Sequence, residues 1–350
     1  MTYFHEVQEK TGARLWVNNP TPEEAEKAIA DGAVSCTTNP AYCSRMIKVA
    51  PESTLAVIDK CLDQSEDDSR VAALVQGELV RPLLDIFRPI YDASNGKDGW
   101  VSIQGDPYQD EDAAHILAEA REYKALGPNF IAKIPAIKAG LEALSALVAE
   151  DVATIFTEIF SLSQARACID IYTKACEDSG NHPATFITHI TGIYDECLTA
   201  AVEREHIQIT PEVLLQAGRA LCRKQYKIFV NENWPGRMLG GGARQAYHFS
   251  DLLGEKMDIT INPGTIDSLM ASPPVITETM SLATEDAGIE ELRAKAPIFR
   301  DGWDENAHGI DDFYFYPPVI HFSKIGGHIY ARSSPAISIA GIKRQQIIPQ

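Results

Sequence analysis

Short apolar runs alternate along this chain with segments whose apolar residues recur at helical spacing. A short, almost continuous apolar run is typical of a buried parallel strand, and a period near 3.6 residues is typical of an amphipathic helix. One helix is marked at both ends, because Thr21 can cap it, Pro22 suits its first position and Gly32 can end it. The runs predicted to be strands are residues 14–17, 33–38, 100–104, 130–134, 152–160, 184–190, 236–241 and 257–262.

Eight strands separated mostly by helices predict an α/β fold of the (β/α)8 TIM-barrel class. The 350 residues suffice for one barrel with additions, so we expect residues 1–269 to form a single barrel domain. From Met270 onward the pattern weakens to one predicted helix, TEDAGIEELRAKA, and an aromatic segment rich in glycine and proline. We expect residues 270–350 to form a C-terminal extension, a helix and irregular chain, that packs on the barrel or makes a subunit contact.

Composition and charge narrow the classes of partner. A net charge of −18 repels nucleic acid and anionic membranes, so neither is expected as a partner, and an anionic ligand would need a local basic group. The seven cysteines are scattered without metal-ligand spacing, which indicates free thiols and predicts no metal site and no cofactor. The sequence has neither a signal-peptide pattern nor an apolar stretch of about 18 residues. We therefore expect a cytoplasmic protein that binds a small molecule, and a homo-oligomer is compatible with the sequence.

One lysine lies inside an apolar run, in the sequence NFIAKIPAIKAGLEAL. Burial of Lys133 without a partner would lower its pKa and leave a neutral amine. A neutral amine can attack a carbonyl and form a Schiff base, whose iminium accepts electrons when an adjacent C–C bond breaks. The alternative is a lysine whose ammonium reaches solvent from the strand end or pairs with a carboxylate. On these residues alone the alternative is the more common case.

Four sequence motifs, one of which contains Lys133, indicate the role of this lysine. The sequences ADGAVSCTTNP, FIAKIPA, FTEIFSLSQA and GGGARQA occur in this order and resemble the transaldolase family of class I, Schiff-base aldolases, between about Leu15 and Leu269. The resemblance identifies the chain as a divergent member and implies a TIM barrel. It also implies that Lys133 forms the Schiff base and that Thr157 orients a catalytic water.

The same resemblance implies a set of substrate-binding residues. Thr38 and Asn39 correspond to a threonine and an asparagine after the second strand, and Thr188 corresponds to a serine on the sixth. The sequence GGGAR follows the seventh strand, where barrels commonly bind phosphate through backbone N–H groups. Gly241, Gly242 and Arg244 are therefore predicted to bind an acidic end of the substrate.

Two departures from the family affect proton transfer. Asn18 stands where the family has an aspartate, and Gln104 stands where it has a glutamate. An amide cannot accept a proton at neutral pH, so both residues are predicted to bind hydroxyls or water instead. We expect Glu158 to face the helix layer, because Thr157 faces inward and strand side chains alternate. The residues that could replace the lost carboxylates are Asp195, Asp106, His189, Tyr42, Tyr108 and Glu158.

Three further departures affect the anion site. Ile193 stands where the family has a phosphate-binding arginine, Ile190 replaces an aromatic residue, and Gly242 replaces a serine. Only Arg244 remains of the usual phosphate clamp. The substrate is therefore expected to lack a terminal phosphate or to carry another anion there.

Together these residues predict a Schiff-base enzyme that makes or breaks a C–C bond next to a ketone in a small sugar-like substrate, which includes non-phosphorylated compounds. One alternative is a strict transaldolase that transfers a dihydroxyacetone unit between sugar phosphates. Another alternative is an inactive barrel that serves as a binding or assembly protein, because two carboxylates are missing.

Overall fold

Eight parallel strands close into a barrel in the structure, a computed structural model that describes residues 1–284 and 286–324. Each strand pairs with the next in chain order, and β1 pairs with β8. Each of the eight predicted runs corresponds to one strand, so the barrel prediction is confirmed. The strands are β1 (Arg14–Asn18), β2 (Ala33–Thr37), β3 (Val101–Gln104), β4 (Phe130–Pro135), β5 (Thr154–Ile159), β6 (Thr185–His189), β7 (Arg237–Gly240) and β8 (Met257–Ile261).

Helices connect the strands and surround the barrel. The first of them, α1, precedes β1, and the second begins and ends as predicted: Thr21 Oγ1 accepts a hydrogen bond from Glu24 N, and Gly32 adopts φ 117°. The helices are α1 (Tyr3–Thr11), α2 (Pro22–Asp31), α3 (Ala41–Val49), α4 (Pro51–Leu62), α5 (Asp68–Ala93), α6 (Ala113–Lys124), α7 (Lys138–Ala149), α8 (Leu162–Ser179), α9 (Thr191–Arg204), α10 (Pro211–Leu214), α11 (Ala217–Asn231), α12 (Tyr247–Ser250), α13 (Pro263–Ala271), α14 (Ala287–Lys295) and α15 (Pro297–Trp303). No helix in these described ranges is long and apolar enough to cross a membrane.

The barrel interior is packed with large apolar side chains. The rings of Trp16 on β1 and Phe186 on β6 lie 5.0 Å apart, although these strands are not neighbours in the sheet. They therefore meet across the lumen, where Ile131, Ile155 and Leu239 complete the cluster. This packing fills the centre of the barrel, and an open cavity lies at the C-terminal ends of the strands.

A buried ion-pair cluster closes the opposite end. Asp258, near the start of β8, is fully buried and accepts hydrogen bonds from Arg14 Nε (2.8 Å) and Nη2 (2.7 Å) and from Arg237 Nε (3.0 Å) and Nη2 (2.8 Å). Burial alone would raise the pKa of Asp258, but the two arginine charges outweigh burial and hold it below its usual 3.8. Because the N-terminal end of a barrel serves stability, this cluster ties three strand starts together and leaves the other end for chemistry.

The chain after the barrel packs on its helices. The predicted helix in residues 284–296 is α14, but α15 and a 3₁₀ helix (Ile310–Phe315) were not predicted, because the aromatic segment has no clear period. Buried Phe299 and Trp303 stack on each other, and Tyr316 OH donates to Ile298 O at 2.7 Å. Residues 317–324 are helical. The rest of the predicted extension, residues 325–350, lies outside the described residues, so its division from the barrel at residue 269 stays a prediction.

Candidate active site

A cavity of about 250 Å³ opens at the C-terminal ends of the strands. Polar side chains from all parts of the sheet point into it, and Ile190, Ile193, Leu239 and Phe322 form its apolar wall. Phe322 comes from the chain after the barrel, and its ring lies 6.3 Å from that of Phe160. The polar residues and glycines that line the cavity include Asn18, Thr37, Asn39, Gln104, Asp110, Lys133, Thr157, Thr188, Gly241, Gly242, Arg244, Thr260 and Asn262.

The structure brings the residues predicted from sequence to this cavity with one exception. Thr38 does not line it, because its hydroxyl donates to Ser102 O at 2.6 Å and its backbone N–H donates to Ser102 Oγ at 3.2 Å. Its neighbour Thr37 lines the cavity instead and donates to Asn18 Oδ1 at 3.0 Å. Thr38 lies outside the cavity lining, because consecutive strand residues face opposite sides of the sheet.

Lys133 is the basic group on the strands that line the cavity floor. It lies on β4 beside Gln104 of β3, is only partly exposed, and is surrounded by apolar neighbours in the strand. Burial lowers the pKa of Lys133 from the usual 10.5 to about 8, although the nearby charges of Glu158 and Asp110 oppose this shift. A lysine with this pKa carries a neutral amine in a useful fraction of molecules at neutral pH, which is the form that attacks carbonyls.

Glu158 does not face the helix layer as predicted. The pairing of β5 with β6 gains one residue between Phe156 and Ile159, and Glu158 has φ 65°, so a bulge interrupts the alternation of side chains. Glu158 is 1% exposed, and its Oε1 lies 3.5 Å from Gln104 Nε2. Burial raises the pKa of Glu158, and the opposing charge that limits this rise is Lys133. The bulge thus places a carboxyl beside the lysine.

Asp110 was not identified as a site residue from the sequence. It lies in the loop between β3 and α6, is 9% exposed, and lines the cavity with Lys133. Burial raises the pKa of Asp110 well above its usual value, and the carboxylates of Glu158, Glu119 and Asp106 raise it further, against the charge of Lys133. The signal in the sequence was the acidic loop GDPYQDED directly after the third strand, but it offers four carboxylates and no means of choosing among them.

The other candidates for a replacement base do not line the cavity. The carboxylate of Asp195 accepts from Gly218 N at 3.0 Å and lies 3.3 Å from His248 Nε2, and that of Asp106 accepts from Tyr108 N at 2.9 Å. Burial lowers the pKa of His189 to about 3, which makes it a very weak base. In addition, Tyr42, a residue of α3, is fully buried, and Tyr108 is 58% exposed.

The amides and hydroxyls around the cavity differ in whether their polar atoms already have hydrogen-bond partners. Asn18 is fixed at both ends of its amide, because its Oδ1 accepts from Thr37 and its Nδ2 donates to Asn262 Oδ1 at 2.8 Å. By contrast, within the described ranges three buried polar atoms of the lining residues have no hydrogen-bond partner: Gln104 Oε1, Thr157 Oγ1 and Thr188 Oγ1. Buried polar atoms are normally paired, so these three are suited to bind a ligand or water.

The anion site predicted after β7 has few groups that are available to bind a phosphate. Gly242 has φ 64°, and a Cβ on it would lie 2.3 Å from Ile190 Cγ2, so the isoleucine occupies the space that a serine side chain would need. Arg244 lines the cavity but is exposed, and its Nε donates to Glu196 Oε1 at 2.7 Å. One exposed arginine with a carboxylate partner offers much less to a phosphate than a preformed clamp does.

Comparisons with known proteins match the chain to one family model and to several curated relatives. Residues 15–311 match the family model described as Transaldolase/Fructose-6-phosphate aldolase. The chain is 27% identical to "Transaldolase 1" of Streptomyces coelicolor over 291 residues, which covers 80% of this chain and 75% of the relative. It is likewise 27% identical to "Transaldolase" of Saccharopolyspora erythraea over 328 residues, 87% of this chain and 88% of the relative. With "Transaldolase 1" of Streptomyces avermitilis it shares 27% identity over 252 residues, 67% of this chain and 66% of the relative.

Proposed function

The chain belongs to the transaldolase/fructose-6-phosphate aldolase family, and from this premise we propose that it makes or breaks a C–C bond next to a ketone in a small polyhydroxy substrate. The observation that carries the proposal is Lys133, a lysine of lowered pKa in an enclosed cavity lined by hydroxyl and amide groups. A family enzyme with such a lysine has the nucleophile needed to form a Schiff base with a ketone.

The surrounding groups suit distinct tasks in this reaction. Lys133 attacks the ketone carbon, and loss of water gives an iminium that withdraws electrons from the neighbouring C–C bond. Thr157, whose hydroxyl has no partner among the described residues, orients the water that is released and later hydrolyses the iminium. Asn18, Asn39 and Thr188 bind substrate hydroxyls, because each lines the cavity with a polar group.

We further propose that the substrate lacks a terminal phosphate. Ile190 and Ile193 form an apolar wall beside Gly242. By resemblance, Ile193 stands at the position of a phosphate-binding arginine and Gly242 at that of a serine. Arg244 already has a partner in Glu196, and a charged hydrogen bond lost from a phosphate site is worth about 1.5–3 kcal/mol. This part of the cavity favours a neutral hydroxymethyl end over a dianion.

Reductive trapping tests the Schiff base. The protein is incubated with dihydroxyacetone or fructose, reduced with borohydride and digested, and the adduct is located by mass spectrometry. We expect the adduct on Lys133 and its loss in Lys133→Met. The matched control is Lys138→Met, which removes an exposed lysine five residues away and should keep the adduct. An adduct that survives Lys133→Met would refute the proposal.

The substrate end is tested with a matched pair of ketoses, fructose and fructose 6-phosphate. We expect the kcat/KM for the phosphorylated compound to be no higher than for the neutral one. Glu196→Gln should shift the ratio toward the phosphorylated compound, because it frees Arg244 to bind an anion. A ratio that favours fructose 6-phosphate by 100-fold or more in the unmodified protein would contradict a neutral substrate end.

Transfer and cleavage are separated by the acceptor. The carbonyl product of cleavage is followed with and without an added acceptor aldehyde. Formation of free dihydroxyacetone without an acceptor indicates a lyase, whereas strict dependence on the aldehyde indicates a transferase.

A further inference from the structure

Two carboxyl groups flank the proposed nucleophile, although neither stands at a position where the family carries a catalytic carboxylate. The bulge in β5 turns Glu158 toward Lys133 and Gln104, and the loop after β3 brings Asp110 to the cavity wall. Both are nine-tenths buried or more. At the two family positions, Asn18 and Gln104 carry amides that cannot accept a proton.

The two carboxyls differ in what they can reach. Asp110 lines the cavity in which the substrate would bind, whereas Glu158 lies behind Gln104 and is 1% exposed. Glu158 therefore acts on the substrate only through its neighbours, but its charge reaches Asp110 and Lys133 alike. Of the two carboxyls, Asp110 is thus the one that lines the open cavity.

We propose that Asp110, which lines the cavity together with Lys133, is the general base and acid of the C–C bond step. This inference rests on the proposed Schiff-base function. The carboxylates available elsewhere do not reach the cavity, since Asp195 and Asp106 are held by other groups outside its wall.

The charged and titratable groups around Asp110 set its protonation state. Lys133 faces it from β4, Glu158 from β5, Glu119 from α6 and Asp106 from its own loop. From the 3₁₀ helix, Tyr314 interacts electrostatically with both Asp110 and Glu158. The negative charges of three carboxylates outweigh the positive charge of one ammonium and raise the pKa of Asp110. Its carboxyl can therefore hold a proton and transfer it to a substrate carbon.

In cleavage, the Asp110 carboxylate takes the proton from the hydroxyl on the carbon beyond the bond that breaks. The O–H electrons form the aldehyde carbonyl, and the electrons of the broken C–C bond move through the new C=C bond onto the Lys133 nitrogen, giving an enamine. Protonation of the enamine carbon by Asp110 restores the iminium, which water then hydrolyses to release the ketone and the free amine.

Hydrogen exchange in dihydroxyacetone isolates the proton transfer without knowledge of the natural substrate. In D2O, the Schiff base loses a proton from the carbon next to the iminium and regains a deuteron, and NMR measures the rate of this exchange. Borohydride trapping at Lys133 is measured on the same samples. We expect Asp110→Asn to keep the Lys133 adduct and to exchange about 100-fold more slowly or worse, as expected for loss of a general base.

Glu158→Gln provides a second variant with a different readout. It removes a like charge next to Asp110, so the pH at which exchange reaches half its maximum should move to lower values. A purely structural role for Glu158 would change the amount of adduct without moving this midpoint. The control is Glu66→Gln, which removes an exposed carboxylate from the loop between α4 and α5 and should leave adduct and exchange unchanged.

The outcomes separate the two proposals. A failure to trap Lys133 in the unmodified protein overturns the Schiff-base function itself. Normal trapping with undiminished exchange in Asp110→Asn overturns only the role of Asp110, as does a folded Asp110→Asn protein that no longer forms the adduct. An unmoved midpoint in Glu158→Gln overturns the coupling between the two carboxyls.

Discussion

The lowered pKa of Lys133 makes a quantitative prediction about its reactivity. With a pKa of about 8 rather than the usual 10.5, the neutral amine at pH 7 amounts to about one molecule in ten instead of about one in three thousand. The environment of β4 therefore raises the concentration of the attacking form by roughly 300-fold. Burial is the cause, and the charges of Glu158 and Asp110 limit its effect.

A β-diketone such as acetylacetone measures this fraction directly. It condenses with a neutral amine to a stable vinylogous amide whose absorbance gives the rate of reaction. We expect the rate for Lys133 to rise about tenfold per pH unit up to pH 8 and then to level off, because the amine is fully neutral above its pKa. Lys138 serves as an internal control, because its pairing with Asp311 raises its pKa and should keep it unreactive over this range.

The result that refutes the reasoning is a rate that continues to rise past pH 10, which would indicate a lysine of ordinary pKa. Reaction at another lysine in preference to Lys133 would refute it as well. Because Lys133, Glu158 and Asp110 interact, the midpoint belongs to the group of three. Glu158→Gln should therefore lower the midpoint, since it removes a negative charge that favours the ammonium.

Three further predictions concern the framework of the site. Asp258→Asn should lower the free energy of unfolding, measured with denaturant at pH 7, by roughly 1.5–3 kcal/mol, because Arg14 and Arg237 lose their shared charged acceptor and Asp98 remains as a partner of Arg14. The depressed pKa of Asp258 means that the wild-type contribution is present above pH 3.8 and lost as the pH falls below it. Gly242→Ala should destabilise the protein, because the new Cβ would overlap Ile190. Addition of Ile190→Ala should recover part of this loss. An equal loss in the single and the double variant would assign the whole effect to the positive φ of position 242. Gln104→Glu should reduce activity in the trapping and turnover assays, because it sets a third carboxyl beside Glu158, and a gain of activity would contradict this reasoning.

The sequence predicted the barrel because parallel strands are buried on both faces and so appear as short apolar runs. It also predicted most of the residues at the cavity, because they follow strand ends within recognisable motifs. It misplaced Glu158, because one inserted residue in β5 changes the direction of every later side chain in the strand, and no local signal marks that bulge. Thr38 was expected at the cavity that Thr37 lines, because the sequence does not show which of two consecutive threonines faces inward. Asp110 was not predicted as a site residue, because its position depends on the path of a loop over the barrel.

The bulge in β5 places Glu158 next to the amide at position 104, and this contact limits the charge that position 104 can carry. Oε1 of Glu158 lies 3.5 Å from Gln104 Nε2, so a carboxylate at position 104 would face another carboxylate at hydrogen-bond distance. Two unit charges at about 4 Å repel by roughly 4 kcal/mol at the effective dielectric constant of a partly buried site, so one of the two would have to stay protonated. An amide at position 104 avoids this repulsion and can donate to the carboxylate of Glu158. Two ionised carboxylates are therefore disfavoured at positions 104 and 158, and this chain carries an amide on β3 and a carboxyl on β5.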